Sequence, residues 1–353
     1  MNSENLSKGE SAIYDRQLRL WGSNAQMRIK SSTVAIVGLT PATVEIAKNM
    51  VLAGSNLLLQ DSRGVTENTS NFLIKLEVDD VSGLSVGGAT AIAVRRLNEH
   101  PKVDSCIDWN ASGKSSVTSL VVSFSYIDYD VHEAIAMSNK AREMSISFFL
   151  VVDSNVLCWS FSDLQTHVVE EYTAPLKRDD RTGNRVVSTR AGELFEFVSL
   201  SEYISSELKI SKKQNDMYKF MHFYLGYLYT KNQAGSPKNK RLRLGGGLGE
   251  YIKMNNNQPN DTLDSLSTCM EFENHKNCLP HFAAIHGALI SQEIIKYITK
   301  KDPPLFNTIL LANDGAALVY KHPSTMRHVQ PTDEEDEVQC VVEAASGFDL
   351  DLD

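Results

Sequence analysis

Gly38 and Asp61 mark the first place where chemistry is expected. The apolar run 33–38 (TVAIVG) turns into PATVEIAKNMVLAG, and a second apolar run, NLLLQ, ends at Asp61. A glycine at the first turn and an acid about twenty residues on form the Rossmann layout for cradling phosphates and holding a ribose. Most of the cradle is nevertheless missing. In VGLTPATVE only Gly38 remains, and Thr40, Pro41, Ala42 and Thr43 fill the turn. Phosphates approach the N–H groups at a helix start, where any Cβ obstructs them and proline removes a donor. The residues therefore predict a kept strand–helix scaffold with a lost phosphate site, in which Gly38 and Asp61 are vestigial. Asp61 either accepts a ribose hydroxyl in a remnant pocket or caps a neighbouring turn. The domain either never bound nucleotide or is a degenerate copy whose active counterpart lies on another chain.

The elements around this turn alternate. Val44, Ile46, Ala47, Met50 and Val51 recur at helical spacing and stop at Gly54. Further strands are expected at 119–125, 145–153 and 155–161, with a helix in VHEAIAMSNKAREM, so the first half reads as α/β with a mainly parallel sheet. From about 172 to 275 the text turns polar and rich in Gly, Pro and Asn, apart from an aromatic helix, NDMYKFMHFYLGYLYTKN, whose spacing suits a core face. Regular structure is expected again in a long amphipathic helix from PHFAAIHGALISQEIIKYITKK, followed by a strand hairpin. The acidic end, TDEEDEVQCVVEAASGFDLDLD, is expected to be disordered unless its apolar run adds to a partner's sheet. The organisation reads as 1–171 and 276–330 forming one domain, 172–275 as an insertion with a mobile loop, and 331–353 as a tail.

Composition limits the alternatives. The chain has 353 residues, of which 42% are hydrophobic and 22% charged, with a net charge of −9. That is a soluble globular profile without a nucleic-acid footprint, and its apolar runs are far shorter than the ~20 residues of a membrane span. A nuclear and cytoplasmic protein is expected. Five cysteines, Cys106, Cys158, Cys269, Cys278 and Cys340, include no C-x-x-C pair, so neither a disulfide framework nor a zinc ribbon is indicated, and no metal site is read. SPKNKRLRL at 236–244 reads equally as a nuclear localisation signal or as a solvated loop.

The segment preceding the first strand separates the two readings of the domain. YDRQLRLWG, residues 14–22, closely resembles the N-terminal signature of ubiquitin-like-protein activating enzymes, an adenylation family of ThiF/MoeB type. VEIAKNMVLAG, NFLI after Asp61, and GALISQEIIKYITKKDPP resemble further blocks of that family in the same order. Within it the chain is most similar to the non-catalytic, Aos1-type subunits of heterodimeric SUMO-activating enzymes. The departures fit that role: GLTPATVE replaces the Gly-rich turn, SNFLIK replaces an Asn-x-Asn-Arg-Gln block, and Thr90 stands near the family's lysine.

The resemblance implies that Arg16 reaches across a dimer to ATP phosphates held by a Uba2-type catalytic partner, in the manner of an arginine finger. A surface or intrasubunit salt bridge of Arg16 with Asp15 or a nearby acid is the structural alternative. Tyr14, Arg19 and Trp21 are expected to be structural or interfacial. By the same resemblance, Mg-ATP sits in the partner and this chain binds no cofactor. SUMO and a conjugating enzyme are then met through the complex, and the thioester-forming cysteine belongs to the partner. The remaining alternatives are the regulatory subunit of a Nedd8-type activating enzyme, whose additional helical domain 353 residues hardly accommodate, a Rossmann enzyme acting alone, and a non-chemical scaffold.

Overall fold

The computed structural model describes residues 6–110, 117–125, 128–153, 157–173, 177–178, 185–186, 189–205, 279–305, 307–312, 317–321 and 324–329. Two helices come first, α1 (Lys8–Ile13) and α2 (Asp15–Ser31). Ser7 and Glu10 cap α1 reciprocally, and Gly22, at φ 82°, kinks α2 through a backbone conformation that side chains disfavour. Alternating units follow: β1 (Thr33–Val37), α3 (Pro41–Ala53), β2 (Asn56–Gln60), α4 (Phe72–Glu77), α5 (Val86–Arg95), β3 (Val103–Ser105), β4 (Ser119–Ser125), α6 (Val131–Glu143) and β5 (Ser147–Asp153). These five strands pair in parallel in the order β3-β2-β1-β4-β5. The order reverses between β1 and β4, which is where an open α/β sheet forms its ligand crevice.

Beyond β5 the direction changes. β6 (Leu157–Asp163) runs antiparallel to β5, and β11 (Thr308–Ala312) and β12 (Ala317–Tyr320) continue the sheet antiparallel to eight strands. β7 (Thr166–Thr173), β10 (Thr189–Glu196) and β13 (Met326–Val329) form a second, three-stranded sheet. The two-residue strands β8 (Lys177–Arg178) and β9 (Arg185–Val186) pair with each other. Among the described residues two more helices follow, α7 (Leu200–Ser205) and α8 (Pro280–Thr299). The class is α/β, as the alternation implies. Part of the segment read as an insertion, 189–205, forms β10 and α7, and Leu200 and Tyr203 are buried there, Tyr203 against Phe161 with ring centroids 4.9 Å apart. The aromatic helix, the basic run and the acidic tail lie outside the described residues.

Strand alternation divides the core into two layers. Val34 and Ile36 of β1 face α3 and α8, whereas Ala35 faces the layer that holds Trp109, Val131 and Trp159. The contact between α3 and α8 is the closest in that first layer: a Cβ on Gly287 would lie 2.6 Å from the Ala42 carbonyl oxygen and from Glu45 Cβ. Glycine at 287 therefore sets how near α8 can come to the start of α3. Arg142 of α6 joins the layers differently, donating to Asp163 at 2.5 and 2.9 Å and to the Phe197 carbonyl at 2.7 Å.

His167 of β7 is buried beside Tyr297 of α8, with centroids 5.4 Å apart. Burial first, and then the positive charge of Lys300, lowers its pKa from 6.5 to about 4. The unfolded chain thus takes up this proton at a higher pH than the folded one. Its contribution to stability is complete above pH 6.5 and is lost as pH falls towards 4. Urea denaturation across that window is expected to show His167→Leu losing less stability on acidification than the parent chain; equal losses would mean that other groups govern the acid response.

Candidate functional site

Gly38 sits at φ 81°, and a Cβ there would lie 2.3 Å from the Ser123 carbonyl oxygen of β4. Glycine is required at the first turn by its own chain, quite apart from any phosphate. The turn that follows is closed by side chains. Thr40 Oγ1 donates to Asp153 Oδ2 at 2.6 Å and lies 2.6 Å from Ser123 Oγ, and Thr43 Oγ1 donates to the Gly38 carbonyl at 3.0 Å. Pro41 occupies the first position of α3 and brings no N–H. The next amide, that of Ala42, donates to Asp153 Oδ2 at 3.0 Å. A helix N-terminus favours a nearby anion through its unpaired N–H groups and its dipole. Here the anion is the chain's own carboxylate, delivered by the end of β5.

Asp61 is turned to a similar purpose. Its Oδ2 accepts from the Leu39 N–H at 2.9 Å and from Arg63 Nη2 at 2.5 Å, and its Oδ1 accepts from Arg63 Nε at 2.9 Å and the Arg63 N–H at 3.2 Å. The carboxylate meant for a ribose instead fixes the turn beside it. Thr90, near the place of the family's lysine, is buried and internal: it donates to the Val86 carbonyl at 2.6 Å and accepts from Asn71 Nδ2 at 2.8 Å. Asn71 in turn caps α4 through the Leu73 and Ile74 amides.

The YDRQ block occupies the other end of α3. The Tyr14 ring is buried against Gly54, where a Cβ would meet it at 3.0 Å, and its hydroxyl accepts from Asn98 Nδ2 at 2.9 Å. Gln17 Nε2 donates to the Leu52 carbonyl at 3.4 Å. Half-buried Trp21 donates through Nε1 to Gln26 Oε1 at 3.0 Å, and Gln26 Nε2 donates to the Ala53 carbonyl at 2.8 Å. Arg19 is exposed and takes Asp15 as its partner at 3.0 Å. Arg16 is exposed, and among the described residues no acid pairs with it. The Asp15 pairing considered for Arg16 therefore belongs to Arg19. Since α3 has 13 residues, its two ends stand roughly 20 Å apart at ~1.5 Å per residue. That span exceeds the reach of an arginine side chain, so the structure brings Gly38 and Asp61 together and leaves Arg16 remote from them.

Asp153, Ser123 and His286 were not singled out by sequence. The signal for Asp153 was present, an acid closing an apolar strand as Asp61 does; His286 on the buried face of a helix carried none. Of the cysteines, Cys158 is buried and Cys106 is half-buried, its thiol pKa raised by burial first and by Asp108 second, the reverse of what a nucleophile needs. Cys269, Cys278 and Cys340 lie outside the described residues.

These contacts separate two kinds of residue by stability. Asp61→Ala leaves the Leu39 amide without its acceptor and is expected to cost about 1–3 kcal/mol in chemical denaturation. Arg16→Ala, at an exposed site with no ion pair among the described residues, is expected to stay within about 0.5 kcal/mol of the parent. A large loss for Arg16→Ala would assign that residue a structural role.

No family model matches the chain. Among curated proteins it is similar to SUMO-activating enzyme subunit 1B-1 of Arabidopsis thaliana, 28% identical over 344 residues that cover 90% of this chain and 98% of that protein. It is similar to SUMO-activating enzyme subunit 1 of Homo sapiens, 27% identical over 334 residues covering 85% of this chain and 91% of that one. Among solved structures, that of PaaA aligns with a TM-score of 0.52 over 91% of this chain and 86% of its own, at 15% identity, which is a likeness of fold. Over most of its length the chain is therefore similar to SUMO-activating enzyme subunit 1 proteins, and its α/β fold is like that of PaaA.

Proposed function

We propose that the chain is the non-catalytic subunit of a SUMO-activating enzyme, an obligate heterodimer with a Uba2-type catalytic partner in the nucleus and cytoplasm. The observation that carries this reading is the contrast between the two ends of α3. At one end the anion position is filled by Asp153, and the glycine cradle and the lysine are replaced. At the other, Arg16 is exposed and free of any ion pair among the described residues. Exposed Ile13, Leu20 and Leu52 lie on the same stretch or against it, an apolar surround that suits a protein partner.

The chemistry belongs to the partner: the SUMO C-terminal carboxylate attacks the α-phosphate of Mg-ATP, pyrophosphate leaves, and the partner's cysteine thiolate then displaces AMP to form a thioester. Arg16 supplies a permanent planar charge to the partner's phosphates once the subunits meet. The buried Tyr14, Gln26 and Gly54 contacts hold the helix that carries it. This chain itself binds no nucleotide, and a conjugating enzyme is met only through the complex.

ATP–pyrophosphate exchange with SUMO tests this directly. Exchange is expected only when the chain is mixed with its Uba2-type partner, and Arg16→Ala is expected to lower it by about 10²-fold or more while the dimer still forms. Exchange by the chain alone would overturn the lost-phosphate-site reading. Unchanged exchange with Arg16→Ala would reduce the chain to a scaffold.

A further inference from the structure

We propose that Asp153, Cys158 and His286 together form a buried binding site for a thiophilic divalent cation, with zinc the metal that their chemistry selects. The three residues come from the end of β5, the start of β6 and the first half of α8, and all are buried. One ligand atom from each lies within 4.8 Å of the other two. Asp153 divides its oxygens: Oδ2 serves Thr40 and Ala42, and Oδ1 faces His286 Nδ1 at 3.3 Å. That separation is longer than the ~2.9 Å of an ordinary N–H···O bond, and it matches the ~3.3 Å between nitrogen and oxygen ligands bonded at ~2.0–2.2 Å to a tetrahedral ion.

A second observation concerns the imidazole. His286 is fully buried, and among the described residues its Nε2 has no hydrogen-bond partner. The nitrogen that faces Asp153 Oδ1 is Nδ1, so Nδ1 is the atom placed to ligate alongside that oxygen. Thiolate, imidazole and carboxylate offered together suit zinc, whose borderline softness accepts all three, and suit magnesium or calcium poorly. Three protein ligands leave one position for a water molecule. Within this fold the ion would be structural. It would fasten α8 to the β5–β6 connection inside the sheet and, through Asp153, to the start of α3, independently of the activity proposed above.

Metal content of the purified full-length chain, dialysed into zinc-free buffer and measured by mass spectrometry, is the test. About one zinc per chain is expected in the parent protein, retained when Cys106, Cys269, Cys278 and Cys340 are all changed to serine and Cys158 is the sole thiol. Cys158→Ser and His286→Ala are expected to lose it. Cobalt is expected to give a near-ultraviolet thiolate charge-transfer band in the parent and in the single-cysteine chain, and a chelator is expected to lower the Tm of both. A folded parent chain that carries no zinc and gives no cobalt band overturns the proposal. So does zinc lost from a folded single-cysteine chain, or zinc kept by a folded Cys158→Ser chain, since other thiols would then hold it.

Discussion

The carboxylate of Asp153 at the N-terminus of α3 is the interaction on which the rest of the arrangement depends. A helix start buried beneath a sheet edge presents unpaired N–H groups and partial positive charge, and these must meet an acceptor. In a nucleotide-binding domain a phosphate meets that need. Here Asp153 accepts from Thr40 and Ala42, so the end of β5 is tied to the first turn after β1. Helix α8 then lies over the same turn, admitted by Gly287, with His286 reaching Asp153. A charge buried in this way is tolerable because its oxygens are engaged by hydrogen bonds and by the helix dipole.

The two ends of α3 are finished in different ways. The C-terminal end of the helix is gripped by Tyr14, Gln17 and Gln26, which hold α2 against Gly54 and the last carbonyls. Those contacts hold α2 in place and leave Arg16 outward. The same helix thus has a filled anion site at its start and an uncommitted cation beside its finish. This asymmetry fits the proposed role of completing another subunit's active site, because a surface cation serves such a role only when a phosphate is brought to it.

Much of this was legible in the residues. VGLTPATVE announced both the strand–helix turn and the loss of its cradle, since proline and β-branched residues at a phosphate turn speak through sterics that are local. The apolar runs of β1, β4 and β5 and the Gly54 stop of α3 are local signals of the same kind. What was not legible depends on chain separation. Asp153 meets Ala42 across 111 residues and His286 across 133. No spacing rule links such positions. His286 lies on the apolar face of an amphipathic helix, where a histidine reads as core. The antiparallel β10 was hidden because TRAGELFE alternates weakly within a polar stretch, and its pairing with β7 and β13 supplies what its own text does not.

The loss of a ligand site, on this view, is a replacement in which several residues had to agree. Thr40 supplies a hydroxyl donor for Asp153, Pro41 removes an amide that would otherwise need an acceptor, and Ala42 gives up the next one to the same carboxylate. Restoring glycines alone would remove the Thr40 hydroxyl and leave Asp153 in place, so that a phosphate would meet a buried negative charge where it needs donors. Removing Asp153 alone would leave the buried Ala42 amide without its acceptor, at about 1–3 kcal/mol, while the Thr40 hydroxyl would keep Ser123 Oγ as a partner. Each single reversal is therefore unfavourable, and the closed turn is held by the mutual satisfaction of its parts. That coupling explains how the strand–helix turn of this α/β sheet is kept while the anion position at the start of α3 is occupied by the chain itself.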